Sequence, residues 1–495
     1  MRSPAFPMSR YLAFDLGAES GRAILGTLES GRLTLEELHR FPNTPVRVHA
    51  ALYWDTLRLW HEMQQGLAVA GRERRLKLDG IGVDTWGVDF ALLGVDGALI
   101  ENPRHYRDAR TNGMLEAAFS VVPREEIFAQ TGIQLMQINT LYQLYAMRLA
   151  KSPALANART LLMTPDLFNY WLTGVAKSEA TIASTSQCYD PRAGGWATDL
   201  FDRLGLPKTI LPEIVRSGTR IGSQLPAVAG VAGLGTTSVY TTGCHDTASA
   251  VAAVPANSDH WCYISSGTWS LIGVELDAPV IDARSLALNL TNEMGAGGKT
   301  LLLKNIAGLW LLQECRRTWK LGGSEYSYET LATVADSAPP FAATIDPDAF
   351  LEPGDMPEKI CRHCTSTGQR PPGSPASVAR TIFESLALRY RQVLESLETL
   401  LGWKLQVIHI VGGGSRNRLL NQFVADATGR TVIAGPSEAT AMGNVLIQAM
   451  GAGEISGLAE LRKIVQNSAA PETFTPRGAS EWDRAYEKFR NIAKG

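Results

Sequence analysis

Apolar positions in this chain fall into short runs whose spacing changes twice along its length. Runs at 11–16, 22–28 and 33–41 are compact and bounded by turn residues, which predicts three strands. A stretch with helical periodicity follows over 54–70, then the strand LDGIGVDTWG at 78–87. After Pro255, Asn257 and Ser258 the pattern restarts. WCYISSG, WSLIGVEL, LALNLTN and TLLLKNI read as strands, GLWLLQECRRTWK reads as a helix, and a longer helix is predicted over 381–401. Leu386, Tyr390, Val393, Leu397 and Leu400 share one side of that helix at about 3.6 residues per turn, so it covers a sheet. LQVIHIV, GGG, SRNRLLNQFVADATG, TVIAG and EATAMGNVLIQAMGAG then alternate strand and helix, as a parallel sheet requires. The closing SEWDRAYEKFRNIAKG aligns Trp482, Tyr486 and Phe489 on one face behind Ser480 as N-cap, without indicating which domain receives it.

This order predicts an α/β chain of two related halves with a hinge near 254–260. The division is an N-terminal domain over 1–254, a C-terminal domain over 255–455 and a helical tail over 456–495. Each half opens on a hairpin, YLAFDLGAESGRAILGTL from Tyr11 and YISSGTWSLIGVEL from Tyr263. Glycines in such turns admit positive φ, letting successive N–H groups point into one concavity and hold an anion. Two facing turns of this kind suit a triphosphate in a cleft between domains, unlike a Walker loop feeding one helix.

Composition narrows the class. With 47 Lys+Arg against 49 Asp+Glu the net charge is -2, and no run of like charges forms a stripe for tracking phosphates, so nucleic acid is not an expected partner. The opening MRSPAFPMSRYLAF lacks a secretory apolar core and no stretch reaches membrane-spanning length, which predicts a cytoplasmic location without membrane partners. Cys188, Cys244, Cys262 and Cys315 stand singly, so no disulfide framework is expected. Cys361 and Cys364 form a CxxC in a Pro-rich stretch, read as a chance pair in a surface loop.

Two nucleotide motifs fail on inspection. GGKT at 297–300 has Glu293 where a Walker loop needs glycine, and the residues after it read as a strand. VGGGSRN from Val411 joins a strand to a helix, but Asn417 replaces the third glycine of a dinucleotide fingerprint and no acid ends the next strand. Its glycines still permit close ligand approach at a helix start.

The candidate chemical centre is SVYTTGCHDTASAVAAV, where a strand delivers His245 and Asp246 to the start of a small-residue helix. Asp246 is either a plain N-cap or the one carboxylate that phosphoryl transfer needs to receive a hydroxyl proton. Asp15 and Arg22 bracket the first turn, suited to Mg²⁺ and a phosphate oxygen, or equally to turn chemistry and solvent. Asp84, Trp86, Gly87 and Asp89 in GVDTWGVDF suit a polyol pocket at a strand end, although Trp86 alone reads as core.

DLGAESGR, VDTWGVDFALL, HYRDARTNG, INTLYQL, HDTASAV, YISSGTWSLIG, LKNIAGLWLLQ and VGGGSRNRLLNQ, in this order, resemble the FGGY carbohydrate kinases over 11–476. The resemblance implies two actin-like domains of the ribonuclease-H-like, hexokinase/Hsp70 type with an interdomain cleft. The pairing of VDTWGVDF with HDTASAV points to the branch that transfers the γ-phosphate of Mg-ATP to the 1-hydroxyl of L-rhamnulose. By motif matching, Asp246 is the proton acceptor. Gly87, His245, Asp246, Thr247 and Asn305 contact the sugar, Ala18, Glu19, Ser20, Gly21, Arg22, Thr268, Gln313 and Gly413 contact ATP, and Asp15 is a magnesium ligand. Residues 1–9, the stretch 322–353 and the CxxC match nothing in the family pattern. A kinase for L-fuculose or xylulose and an actin-like or chaperone-like ATPase are the rival readings; oligomeric state is not legible.

Overall fold

The computed structural model describes residues 8–257 and 260–492; residues 1–7, positions 258 and 259 of the expected hinge, and residues 493–495 lie outside them. Two compact units are formed, each discontinuous in sequence. The first comprises Met1–Pro255, Glu275–Leu302 and Ala439–Ser468, the second Ala256–Val274, Leu303–Glu438 and Ala469–Gly495. By packing, the helix Ala439–Gly451 belongs with the first unit.

Strands of the main sheets are numbered in chain order. In the first unit, β1 (Ser9–Leu16), β2 (Ser20–Glu29), β3 (Arg32–Pro42), β4 (Gly80–Thr85), β5 (Arg220–Ser223) and β6 (Ser238–Tyr240) lie in the order β3–β2–β1–β4–β6–β5. β1 to β3 form an antiparallel meander, β4 and β6 run parallel to β1, and β5 turns back. Register places Asp15 beside both Arg22 and Asp84. Mostly in the second unit, β7 (Trp261–Ser266), β8 (Trp269–Leu276), β9 (Thr300–Ala307), β10 (Val407–Val411), β11 (Thr431–Ala434) and β12 (Glu472–Phe474) give the same frame, β9–β8–β7–β10–β11–β12, with the strand Thr291–Met294 as a seventh beside β9. β7 is antiparallel to β8 and parallel to β10.

The departures from the expected elements have local causes. The long helix starts at Pro375, because Ser374 caps it by accepting the Ser377 N–H and proline suits its first turn; Gly402 in the left-handed region ends it. LALNLTN is split between the helix Ala283–Ala287 and the strand Thr291–Met294, since Asp282 makes a capping box with Ser285. Cys361 and Cys364 lie on the helix Met356–Ser366, capped by Asp355, rather than in a loop. Ser480 falls inside the last helix, which begins at Ala479, and the expected helical tail contains β12. That helix packs in the second unit, where Tyr486 donates to Glu395 and Arg391 pairs with Asp483. No helix among the described residues is long and apolar enough to cross a membrane.

The helix Asp246–Ala252 packs in the first unit against Ala439–Gly451 at backbone distance: a Cβ on Gly443 would fall 1.9 Å from the Ser249 carbonyl oxygen. Gly443→Ala is expected to lower unfolding stability by about 1–3 kcal/mol through overpacking, measured by urea denaturation, and to reduce turnover by shifting the helix that carries Asp246.

Candidate active site

The first hairpin turns at 17–19. Gly17 N–H donates to the Ser20 carbonyl at 2.9 Å, and Asn43 fastens the turn through its Nδ2 to the Gly17 carbonyl, also at 2.9 Å. The expectation of positive φ fails at Gly17, Gly21 and Gly267, none of which lies in that region. Gly21 is instead demanded by space, since a Cβ there would meet the Phe41 ring at 2.3 Å. Ala18, Glu19 and Ser20 line the turn with partial or full exposure. Arg22, across the hairpin, forms an ion pair with Asp15.

Asp84 and Asp89 do not face an open pocket. Asp89 is fully buried, with Trp54 Nε1 at 2.6 Å, Trp86 Nε1 at 3.0 Å and Gln143 Nε2 at 3.1 Å all donating to its carboxylate. Burial moves its pKa up to about 6 against these donors. Trp86 is core, its ring 4.1 Å from Trp54. Asp84 accepts from Asn444 Nδ2 at 2.5 Å, while Gln448 Nε2 holds Asn444 Oδ1 at 2.7 Å. Burial, then the neighbouring Asp15 charge, lifts the Asp84 carboxyl well above the usual carboxylate range.

His245 and Asp246 sit where expected, after β6, but with a different division of labour. His245 is the N-cap residue and Asp246 the first helical residue, so the carboxylate is not a side-chain cap. Thr247 Oγ1 donates to Asp246 Oδ1 at 3.2 Å and is itself buried. The Asp246 side chain is 31% exposed, against 10% for Asp15, while Asp84 is wholly enclosed; of the three carboxylates it is the accessible one. Burial, with Asp15 adding and His245 opposing, raises its pKa above the usual range.

One short helix, Ala180–Ser184, organises this corner, and sequence reasoning missed it. Thr181 Oγ1 accepts the His245 N–H at 3.2 Å, and Ser184 Oγ accepts the Met294 N–H at 2.9 Å. Just beyond the helix, Thr185 Oγ1 accepts the Val88 N–H at 3.0 Å. Val88 has φ of 66°, an outlier for a β-branched residue, and its carbonyl is held by Thr140 Oγ1 at 2.6 Å. Gly87 is thereby fixed, and a Cβ on it would press on Thr185 at 3.1 Å. Thr85 pairs with His245 as an isolated bridge, which puts the Gly87 turn beside the His245 loop. Beneath lies the fully buried Glu179, whose Oε2 accepts from Thr181 N at 2.9 Å, Ile182 N at 3.3 Å and Cys244 N at 3.3 Å. The signals were the hydroxyl run TIASTS after Glu179 and the polar pair Asn444 and Gln448, four apart in an apolar helix.

In the second unit, Thr268, Gln313 and the Gly413 loop come together. Gln313 Nε2 donates to Thr268 Oγ1 at 3.2 Å, and the Gly267 and Thr268 carbonyls accept the Leu309 and Trp310 N–H groups at 3.1 and 3.0 Å. Gly412 has φ of 82°, and a Cβ on Gly414 would lie 2.0 Å from Ser266 Oγ, so glycine is required there. Gly413 faces open space. Asn305, half-buried, lies on β9. GGKT leads into β9 rather than a helix, as its sequence suggested.

The chain belongs to the FGGY family of carbohydrate kinases: residues 10–253 match the family's N-terminal domain and 262–452 its C-terminal domain. It is similar to a rhamnulokinase of Bacteroides thetaiotaomicron, 46% identical over 98% of this chain and 99% of that protein. Rhamnulokinases of Oceanobacillus iheyensis (39% identical, 92% and 96% covered) and Enterococcus faecalis (40%, 94% of each) are also similar. Among solved structures, a gluconate kinase from Lactobacillus acidophilus matches with TM-score 0.80 at 16% identity, covering 99% of this chain and 98% of that one. A xylulose kinase from Rhodospirillum rubrum matches with TM-score 0.77 at 20% identity, covering 98% of each. These bear out the mixed α/β, two-domain kinase fold.

Glu179 carries a pH signature. Burial raises its pKa from 4.5 to about 7 despite the N–H donors. Between those values the folded chain binds more protons than the unfolded one, so this group's contribution to stability falls as pH rises from 4.5 to about 7. Glu179→Gln, whose amide oxygen keeps the N–H contacts, is expected to lose this decline, checked by comparing denaturant midpoints of the two proteins across that range.

Proposed function

We propose that this chain is an ATP-dependent kinase acting on the 1-hydroxyl of L-rhamnulose, with Asp246 as the group that accepts the hydroxyl proton. The observation that carries the chemistry is the accessible Asp246 carboxylate, set beside a buried histidine and behind two enclosed carboxylates. The named substrate is supported by the curated rhamnulokinases, 36–46% identical over nearly the whole chain.

In this reading the sugar hydroxyl loses its proton to Asp246 as its oxygen attacks the γ-phosphorus, and the bond to the departing ADP oxygen breaks. Gly87, His245 and Thr247 in the first unit, and Asn305 in the second, contribute to sugar binding. The turn residues Ala18, Glu19, Ser20, Gly21 and Arg22 in the first unit, and Thr268, Gln313 and Gly413 in the second, contribute to ATP binding. Gly413, with open space where a side chain would be, suits close approach by the nucleotide.

The donor set fits a hard divalent cation, for which we propose Mg²⁺. Asp15 offers a carboxylate at the turn, and the buried Oδ1 of Asp84 beside it has no hydrogen-bond partner. No group of three His, Cys, Asp or Glu side chains able to hold a metal occurs among the described residues, so phosphate and water supply most ligands, as Mg²⁺ prefers. Bound there, the ion would neutralise charge on the phosphates. The division into domains over 1–254 and 255–455 with a tail over 456–495, and the cytoplasmic setting, belong to the same proposal.

The test is ADP release with Mg-ATP and L-rhamnulose, L-fuculose, D-xylulose or no sugar. The highest kcat/KM is expected with L-rhamnulose, and phosphorus NMR is expected to show a 1-phosphate. A preference for another ketose, or sugar-independent hydrolysis, overturns the reading. Asp246→Asn is expected to retain ATP binding and lose about 10²- to 10⁴-fold in kcat.

A further inference from the structure

Val88 carries backbone strain one residue from Gly87. With its φ at 66° and the Asp89 N–H donated to the Gly87 carbonyl at 2.9 Å, residues 87–89 close a three-residue turn of the rare, strained kind. Such strain persists only where the surroundings over-determine it, and it collects at ligand clamps. Much of the grip comes from one helix, Thr140–Leu149: Thr140 Oγ1 and Gln143 Nε2, one turn apart, both donate to the Val88 carbonyl, at 2.6 and 3.3 Å. Gln143 Nε2 also donates to Asp89 Oδ1 at 3.1 Å and to the Ile138 carbonyl at 2.9 Å, and the residue is 1% exposed.

Gln143 can serve these acceptors in one orientation only. Reversed, its oxygen would face two carbonyls and a carboxylate. Arg110, on the short helix Ala109–Thr111, sets that orientation, because its Nη2 donates to Gln143 Oε1 at 2.7 Å. A guanidinium has donors and no acceptor, so it takes the amide by its oxygen and leaves the NH2 for the turn. The carboxylate nearest in sequence is already used: Asp108 pairs with Arg104 through Oδ2 and accepts the Arg110 backbone N–H through Oδ1.

We propose that Arg110 and Gln143 are positioning residues that hold the Gly87 turn in its sugar-binding shape, Arg110 by fixing the Gln143 amide and Gln143 by holding Val88 and Asp89. The inference rests on the reading of Gly87 as a sugar contact. Neither residue takes part in proton transfer or nucleotide binding. Asp89 ties the far side of the same turn, since Trp86, immediately before Gly87, donates its Nε1 to Asp89 Oδ2 at 3.0 Å. Residues 86, 88 and 89 are thus all gripped by side-chain hydrogen bonds, and Gly87 between them is left to present its backbone.

Binding of L-rhamnulose and of ATP, each measured alone by calorimetry, tests this. Losing one charge-assisted hydrogen bond is expected to weaken ketose binding about tenfold in Arg110→Met and in Gln143→Met, with ATP binding unchanged. Because Arg110 acts through Gln143, the double variant is expected to bind the ketose no more weakly than Gln143→Met alone, and Arg110→Lys, which still donates, is expected to recover most of the affinity. Wild-type ketose binding in either single variant, additive losses in the double, or an equal loss of ATP binding overturns the proposal. Where a methionine variant does not fold, Gln143→Glu decides, since it keeps the size and the Arg110 partner and replaces only the donating NH2 by oxygen; undiminished ketose affinity there overturns the proposal. Hydrogen exchange tests it without sugar. The Asp89 amide that closes the turn is expected to exchange about tenfold faster in Arg110→Met than in the wild type, and an unchanged rate overturns the proposal. Should the wild type bind none of the ketoses, the function reading fails, while the exchange rates still decide whether Arg110 holds the turn.

Discussion

Three carboxylates crowd one end of the first unit's sheet, and the site is a set of answers to their mutual repulsion. Asp15 and Asp84 are register partners on parallel strands; Asp246 feels the charge of Asp15, and Asp84 that of both. Like charges in a poorly hydrated corner cannot all stay ionised without compensation. The three are accommodated differently: Asp15 by the Arg22 guanidinium, Asp84 by an Asn444 hydrogen bond in an enclosed site that favours its neutral form, and Asp246 by the histidine before it. The last is the most exposed of the three, which suits it to the accepting role proposed for it.

Holding that arrangement requires rigid backbone, and the chain obtains it from hydroxyl side chains rather than from a long element. Thr181, Ser184 and Thr185 each bind the backbone of a different neighbouring segment, at His245, Met294 and Val88. The strain of about 1–3 kcal/mol that a left-handed valine stores is offset by the hydrogen bonds on both sides of its residue. Glu179 underlies the same corner, so a fully buried acid fixes the backbone from which the more exposed Asp246 projects.

The frame of both sheets was legible because strands and helices alternate with distinct periods, and the HDTASAV segment because a strand ending in His-Asp before small residues has few structural uses. Boundaries set by capping were not: Ser374, Asp282 and Asp355 each moved an element by hydrogen bonds that periodicity does not register. Asp84 and Asp89 looked like pocket residues because a carboxylate at a strand end is usually solvated. Only the packing of Trp54, Gln143 and Asn444, each distant in sequence, encloses them. The glycines of the hairpins looked like φ-positive anion cradles, yet Gly21 answers to the Phe41 ring, a contact between β2 and β3 that no local pattern contains.

The repeated sheet shows how one frame supports two chemistries. Asp15, two residues before the first turn glycine, corresponds to Ser265, two before Gly267; the parallel partner of Asp15 is Asp84, that of Ser265 is Val411. The second unit thus carries neither acid at the matching positions, and its next residues are Gly412, Gly413 and Gly414, of which the first and last press against Ser266. Charge at that strand end suits the proposed proton acceptor and cation, whereas a neutral, side-chain-free surface suits close approach. Very few positions therefore separate a carboxylate-lined strand end in one unit from one of shape and backbone contacts in the other.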